Sequence, residues 1–170
     1  LGDVYKRQDR DGWFHTGDAG YLKDSHLYLT ERIKDLFKTS NGKYISPQAL
    51  ETKLAIDRYI DQIAVIADER KFVSALIVPV YGFVKDYAKE KGIAYSNMDE
   101  LLQHPKIQAL FRARIDTLQQ QFAHYEQVKR FTLLTEPFSM ERGELTNTLK
   151  LKRSVVAKNY KGLIDKMYEE

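Results

Sequence analysis

Apolar side chains recur along this chain with two different periods. Residues 59–68 and 71–80 are dense, β-branched runs (Ile60, Ile63, Val65 and Ile66, then Val73, Ile77 and Val78) separated by Asp68, Glu69 and Arg70. Two such runs around a charged turn predict a β-hairpin of central strands. A similar run over residues 128–134 predicts a third strand. Between the second and third runs the period lengthens to three or four. Ile107, Leu110, Phe111, Ile115, Leu118 and Phe122 follow Pro105 at that spacing, which predicts the longest helix of the chain, with proline in its first turn. Residues 83–91 are amphipathic and stop at Gly92, a helix C-cap, and Ser96 or Asn97 is placed to cap a further helix through Leu101 and Leu102. Ser46 stands before Pro47 with Leu50 and Leu54 on one face, so a short helix starts at Pro47. A loop over residues 135–148, holding Pro137 and Gly143, leads to a basic segment that ends in a helix over residues 155–168.

The first part of the chain reads differently. Residues 9–18 suggest a turn, a short aromatic strand and a second turn, because Asp-Gly and Gly-Asp flank Trp13 and Phe14. Tyr21, Leu22, Leu27 and Leu29 surround the polar stretch Lys23-Asp24-Ser25-His26, the pattern of a hairpin with a polar tip. A second short alternation, Ile33, Leu36 and Phe37, ends in Ser40-Asn41-Gly42-Lys43, a turn. With strands and helices interleaved and the clearest strand pair in a hairpin, the fold class is α+β: a short β-hairpin followed by a small antiparallel sheet packed with helices, rather than a doubly wound parallel sheet.

Composition narrows the function classes. Hydrophobic residues make up 43% of the 170 and aromatics 12%, enough apolar surface to fold. The length suits one ordinary domain, or one domain carrying a piece of another. The absence of cysteine excludes disulfides, thiolate nucleophiles and the usual structural zinc sites, and fits a cytoplasmic location. The longest mostly apolar stretch, residues 74–84, is interrupted by Pro79, Tyr81 and Gly82, far short of the roughly 20 apolar residues a spanning helix needs. Peripheral membrane contact is left open. With 27 Lys and Arg against 24 Asp and Glu, the net charge of +3 does not define a nucleic-acid-binding face.

Three short segments carry candidate chemistry, each with an ordinary structural explanation beside it. Thr16-Gly17-Asp18 places a carboxylate beside a glycine turn, where it can accept hydrogen bonds from vicinal hydroxyls or simply stabilise its own turn. Glu31 to Asp35, followed by Thr39 to Lys43, reads as a charged strand and a glycine turn. Lys150, Lys152 and Arg153, with Lys158 and Lys161 behind them and no acid between Lys150 and Lys161, form a basic run that is either a solvated helix face or an anion contact.

Taken in order, Asp-Gly-Trp-Phe-His-Thr-Gly-Asp, Glu-Arg-Ile-Lys-Asp-Leu-Phe-Lys-Thr-Ser-Asn-Gly-Lys-Tyr-Ile-Ser-Pro-Gln-Ala-Leu-Glu and Leu-Thr-Asn-Thr-Leu-Lys-Leu-Lys-Arg closely resemble the end of the adenylate-forming acyl-CoA synthetases, nearest in flavour to the long-chain fatty acid CoA ligases. The resemblance runs from Asp9 to Tyr168. It implies a large N-terminal adenylation domain whose distal end is residues 9–33, followed by a C-terminal lid over residues 34–170. It implies that Asp18 and Arg32 meet the ribose of ATP, that Lys34 is the hinge, that Asn41, Gly42 and Lys43 form a loop facing CoA, and that Lys150 is the catalytic lysine of the first half-reaction, with Lys152 as the fallback. The substrates implied are a fatty acid, ATP and CoA. The partner is the chain's own N-terminal domain, where the magnesium ligands are expected. No nucleic acid partner is implied.

The sequence departs from the family pattern at several places. Leu149 stands where many members have Gly before the lysine, Glu31 where Gly or Asp is usual, and Asn41 where Gly is common. Residues 1–8 resemble nothing in the family and are expected to be a non-native leader. The family's phosphate loop, adenine motif and magnesium-associated glutamate all belong upstream of Thr-Gly-Asp, so the chain by itself is expected to be inactive. Two alternatives remain: another member of the superfamily (an aryl-CoA ligase, a luciferase-like oxygenase or a peptide-synthetase adenylation domain), and a non-enzymatic basic α+β module that binds anions or RNA through residues 150–161.

Overall fold

The computed structural model describes residues 8–169 and divides into two compact units, Leu1–Leu36 and Phe37–Glu170. The expected leader lies outside the described residues apart from Gln8, which forms an isolated antiparallel bridge with Phe14.

In the first unit, β1 (Asp18–Lys23) and β2 (His26–Arg32) form the predicted antiparallel hairpin. Its tip is Asp24 and Ser25, with φ of 50° and 62°, the two left-handed central residues of a turn whose twist matches that of the strands. A bulge falls between Ala19 and Gly20. Glycine is required there, since a Cβ at residue 20 would lie 2.5 Å from the Tyr28 carbonyl oxygen. The rings of Tyr21 and Tyr28 stack across the strands at 5.2 Å. Beyond β2 the expected alternation gives way to a 3-10 turn, Ile33–Asp35.

The second unit opens with a miniature hairpin, β3 (Phe37–Lys38) against β4 (Tyr44–Ile45). Next comes α1 (Pro47–Leu54), which starts as predicted: the Ser46 hydroxyl accepts from the Ala49 N–H, Pro47 occupies the first turn, and Leu50 and Leu54 are buried. The sheet that follows has the order β5 (Ile60–Ile66), β6 (Val73–Pro79), β7 (Val128–Leu133). Between β6 and β7 run α2 (Tyr81–Glu90), α3 (Met98–Gln103) and α4 (Pro105–Leu118), and after β7 come α5 (Arg153–Asn159) and α6 (Lys161–Tyr168).

β6 is buried along its whole length because both sheet faces are covered. Val73, Ala75 and Ile77 face a core filled by α1 to α4, whereas Leu76 and Val78 face a second core closed by Val156, Ile164 and Met167 of α5 and α6. Several expectations change here. The sheet is mixed rather than wholly antiparallel: β5 and β6 are antiparallel, but β7 joins β6 in parallel, as the long helical crossover between them allows. β6 alone is central, and β5 is an edge. Helix α2 begins two residues before the predicted start, at Tyr81. Helix α4 stops at Leu118, short of Phe122, because Gln119 turns its side chain into the core, where its Oε1 accepts from the Val128 N–H at 2.8 Å. The single C-terminal helix expected over residues 155–168 is two helices meeting at Tyr160, whose backbone (φ −104°, ψ 18°) departs from helical values.

Candidate functional site

The singled-out residues sit on three local frames. In the first unit, Gly17 adopts a φ of +81°, and the Asp18 N–H bonds the Thr16 hydroxyl at 3.1 Å. Asp18 opens β1 and pairs in register with Arg32 at the end of β2. Their side chains meet, Arg32 Nε to Asp18 Oδ1 at 3.1 Å. With Arg32 exposed and Asp18 half-buried, such a pair near the surface contributes at most about 1 kcal/mol. Its significance is that the hairpin brings a carboxylate acceptor and a guanidinium donor, 14 positions apart in the chain, to one edge. Lys34 lies in the 3-10 turn directly after Arg32, between residues of extended backbone, Arg32 (φ −89°, ψ 129°) and Leu36 (φ −71°, ψ 135°).

Asn41, Gly42 and Lys43 form the tip of the β3–β4 hairpin. Thr39 holds both sides of the tip: its N–H and hydroxyl donate to the Lys43 carbonyl, and its hydroxyl accepts from the Lys43 N–H at 3.1 Å. Thr39 is buried, and Gly42 takes the left-handed backbone (φ 76°) that closes the turn. The Asn41 amide reaches the Lys71 carbonyl. The Lys43 ammonium lies 5.5 Å from the centre of the Tyr125 ring, within cation–π range.

Lys150 stands on a tight hairpin. Leu145 bridges Leu151, the Thr146 N–H donates to the Lys150 carbonyl at 2.8 Å, and the Lys150 N–H donates to the Thr146 hydroxyl at 3.0 Å. Leu149, just before the lysine, has φ +60° and an exposed side chain. The family's usual glycine at this place therefore has a local reason, since this backbone region suits glycine. Lys152 is the N-cap residue just before α5 and donates its N–H to the Glu144 carbonyl at 2.7 Å. The basic run is not a continuous solvated face. Arg153 turns inward with both terminal nitrogens on the Glu51 carboxylate, one at 2.6 Å, and its guanidinium lies over the Phe37 ring.

Sequence reasoning missed the residues that hold this hairpin. Glu144 is wholly buried and accepts from the Ser139 N–H at 3.0 Å, from Arg142 Nε at 3.1 Å and from the Asn159 amide at 3.1 Å. Burial pushes its carboxyl up, but the bonds from Arg142, Asn159 and Ser139 outweigh it and leave the group below the ordinary glutamate value. In the sequence, Glu144 is one acid among 24, and nothing in its neighbours signals burial. Among the described residues, no three metal-ligating side chains come together.

The comparisons with known proteins concern the whole chain. The family model for the AMP-binding enzyme C-terminal domain matches residues 34–170. The chain is 36% identical over 166 residues to the peroxisomal long chain acyl-CoA synthetase 7 of Arabidopsis thaliana, covering 95% of this chain and 24% of that protein. It is also 36% identical over 168 residues to long-chain-fatty-acid–CoA ligase 5 of Rattus norvegicus, with the same coverage of 95% and 24%. The chain thus spans about a quarter of the length of these curated relatives. Among solved structures, the adenylation domain of a carboxylate reductase from Mycobacterium chelonae superimposes with a TM-score of 0.77 at 23% identity, over 99% of this chain and 25% of that one. This likeness extends the α+β architecture to solved adenylation domains. The chain belongs to the AMP-binding enzyme C-terminal domain family, and its relatives include long-chain acyl-CoA synthetases.

Proposed function

We propose that the chain is the C-terminal part of an AMP-forming long-chain fatty acid CoA ligase, with residues 34–170 as its lid and residues 9–33 as the distal end of the adenylation domain. The observation that carries this reading is the Lys150 hairpin, a rigid mount for an exposed ammonium inside a family domain whose relatives bear long-chain ligase names. In the first half-reaction the fatty acid carboxylate attacks the α-phosphorus of ATP and pyrophosphate leaves. Two anions must approach, and charge gathers on the phosphate oxygens, so a fixed ammonium in a water-poor site stabilises the transition state more than the ground state. Lys150 supplies it. Asp18 accepts from the ribose hydroxyls, and Arg32, already beside it, approaches the same sugar.

In the second half-reaction the CoA thiol attacks the acyl carbonyl and AMP leaves. The Asn41 to Lys43 tip serves this step: Gly42 lets backbone approach the pantetheine arm, and Lys43 meets CoA phosphates as a point charge. The two steps use different hairpins of the lid, so the lid must turn between them, with Lys34 absorbing the dihedral change. Magnesium is implied by the family, but the described residues offer no ligand cluster for it. The cysteine-free composition supports a cytoplasmic location.

In the complete enzyme, Lys150→Ala is expected to lower acyl-adenylate formation by about 100-fold to 1,000-fold, the usual loss for one charge-stabilising contact. Thioester formation from preformed acyl-adenylate should be preserved. Measuring pyrophosphate exchange and CoA transfer separately checks this, and an equal loss in both half-reactions overturns the assignment. Lys152→Ala, measured alongside, decides between the two lysines.

A further inference from the structure

The most deeply buried carboxylate near the Lys150 hairpin has no part in the chemistry described so far. The Glu144 side chain is 1% exposed, and its partners come from both sides of the hairpin. Ser139 and Arg142 come from the loop before the hairpin, and Asn159 comes from the last turn of α5, beyond it. The Glu144 carbonyl meanwhile accepts from the Lys152 N–H at 2.7 Å, which closes the hairpin at its neck. Arg142 is itself tied down, donating to the Pro137 carbonyl and to Glu136.

One residue therefore fastens the incoming strand, the outgoing strand and the helix that follows. A buried carboxylate is suited to this because it accepts several donors at once and costs too much desolvation to be left unpaired, so its partners are held in place. The second anchor of α5, Arg153 on Glu51, ties it to other elements: Glu51 lies on α1 and also accepts from the Val65 N–H at 2.8 Å on the edge strand β5. Lys150 projects from the hairpin that lies between Glu144 and Arg153, the residues through which the two anchors act.

We propose that Glu144 is a positioning residue for the adenylate-forming step, fixing the neck of the hairpin so that the Lys150 ammonium arrives at one set position when the lid closes. This rests on the reading of Lys150 as the lysine of the first half-reaction. Glu144→Gln keeps the size of the side chain but turns one acceptor oxygen into a donor facing Arg142 and Asn159, so the neck loosens without a cavity. Asn159→Ala removes a single donor and is the milder variant should Glu144→Gln fail to fold.

In the complete enzyme both variants are expected to slow acyl-adenylate formation, Glu144→Gln by about 100-fold, the scale of a misplaced catalytic group. Both should leave CoA transfer from preformed acyl-adenylate within about twofold of the parent. A merely structural role would lower both half-reactions together, and that result overturns the proposal, as does wild-type adenylation in both variants. Lys150→Ala, run in parallel, separates the two readings. If it abolishes adenylation while Glu144→Gln and Asn159→Ala do not affect it, the positioning role alone fails; if it leaves adenylation intact, the functional reading fails and takes the positioning role with it.

Discussion

Leu149 shows how a single residue can carry a backbone cost that its side chain does not repay. Its φ of +60° places an L-residue in the left-handed region, at roughly 1 kcal/mol or more, and its side chain is 67% exposed, so little packing offsets that. Leu149→Gly is expected to raise stability, by up to about 1 kcal/mol after the extra chain entropy of glycine is subtracted. Urea denaturation of the 170-residue chain measures it, and a loss of stability would mean that Leu149 makes contacts that outweigh the strain. At this scale the sequence is uneven as a guide. Asp18, Arg32, Lys43 and Lys150 stood out because their motifs are compact. Glu144 and Asn159 did not, because they lie 15 positions apart and meet only through the fold around them.

At the scale of elements, legibility followed periodicity. Helix α4 was readable from Pro105 because its apolar residues recur at three and four, and the ones that matter, Ile107, Phe111 and Ile115, are fully buried. Phe111 packs edge-on against Tyr59 at 6.2 Å. Phe111→Ala is expected to cost about 3–5 kcal/mol, from lost burial plus a cavity that surrounding side chains close only in part. A denaturation midpoint lowered without a change in the denaturant slope is the result that checks it. The end of α4 was not readable, since a buried glutamine that bonds Val128 across a loop leaves no local mark. The direction of β7 was equally hidden: a period of two says which residues share a face, not which way the neighbouring strand runs. The break at Tyr160 lacks proline, and it lets α5 and α6 each turn an apolar face to the second core.

Across the whole molecule, the second core depends on three phenols at its margin. Tyr81 donates to the Leu134 carbonyl, Tyr160 packs edge-on against Phe138, and Tyr168 bonds Ser74 and the carbonyls of Ile66 and Phe72. Burial first, then the nearby charges of Asp61 and Glu136, push the Tyr81 phenol up to about 12. Burial likewise raises Tyr160 and Tyr168. In the unfolded chain a tyrosine ionises near pH ~10. The unfolded state therefore releases protons first as the pH rises, and stability present below that value is lost between about pH 10 and 12. The melting temperature should be level through mildly alkaline pH and then fall, and Tyr81→Phe should flatten the fall. A slope unchanged by Tyr81→Phe would assign the alkaline loss elsewhere.

What the sequence determined by itself is what local chemistry encodes: the α+β class, the starts of α1 and α4, the strand runs, the hairpin tips, and the motifs that led to the AMP-binding enzyme C-terminal domain family. Each rests on residues close together in the chain, where spacing and capping act directly. Only the tertiary structure decided that β7 runs parallel to β6, that Arg153 turns in to Glu51, and that a buried Glu144 clamps the neck beneath Lys150. Those arrangements depend on which distant groups share a dry environment, and burial is a property of the packed whole that no short stretch of residues carries.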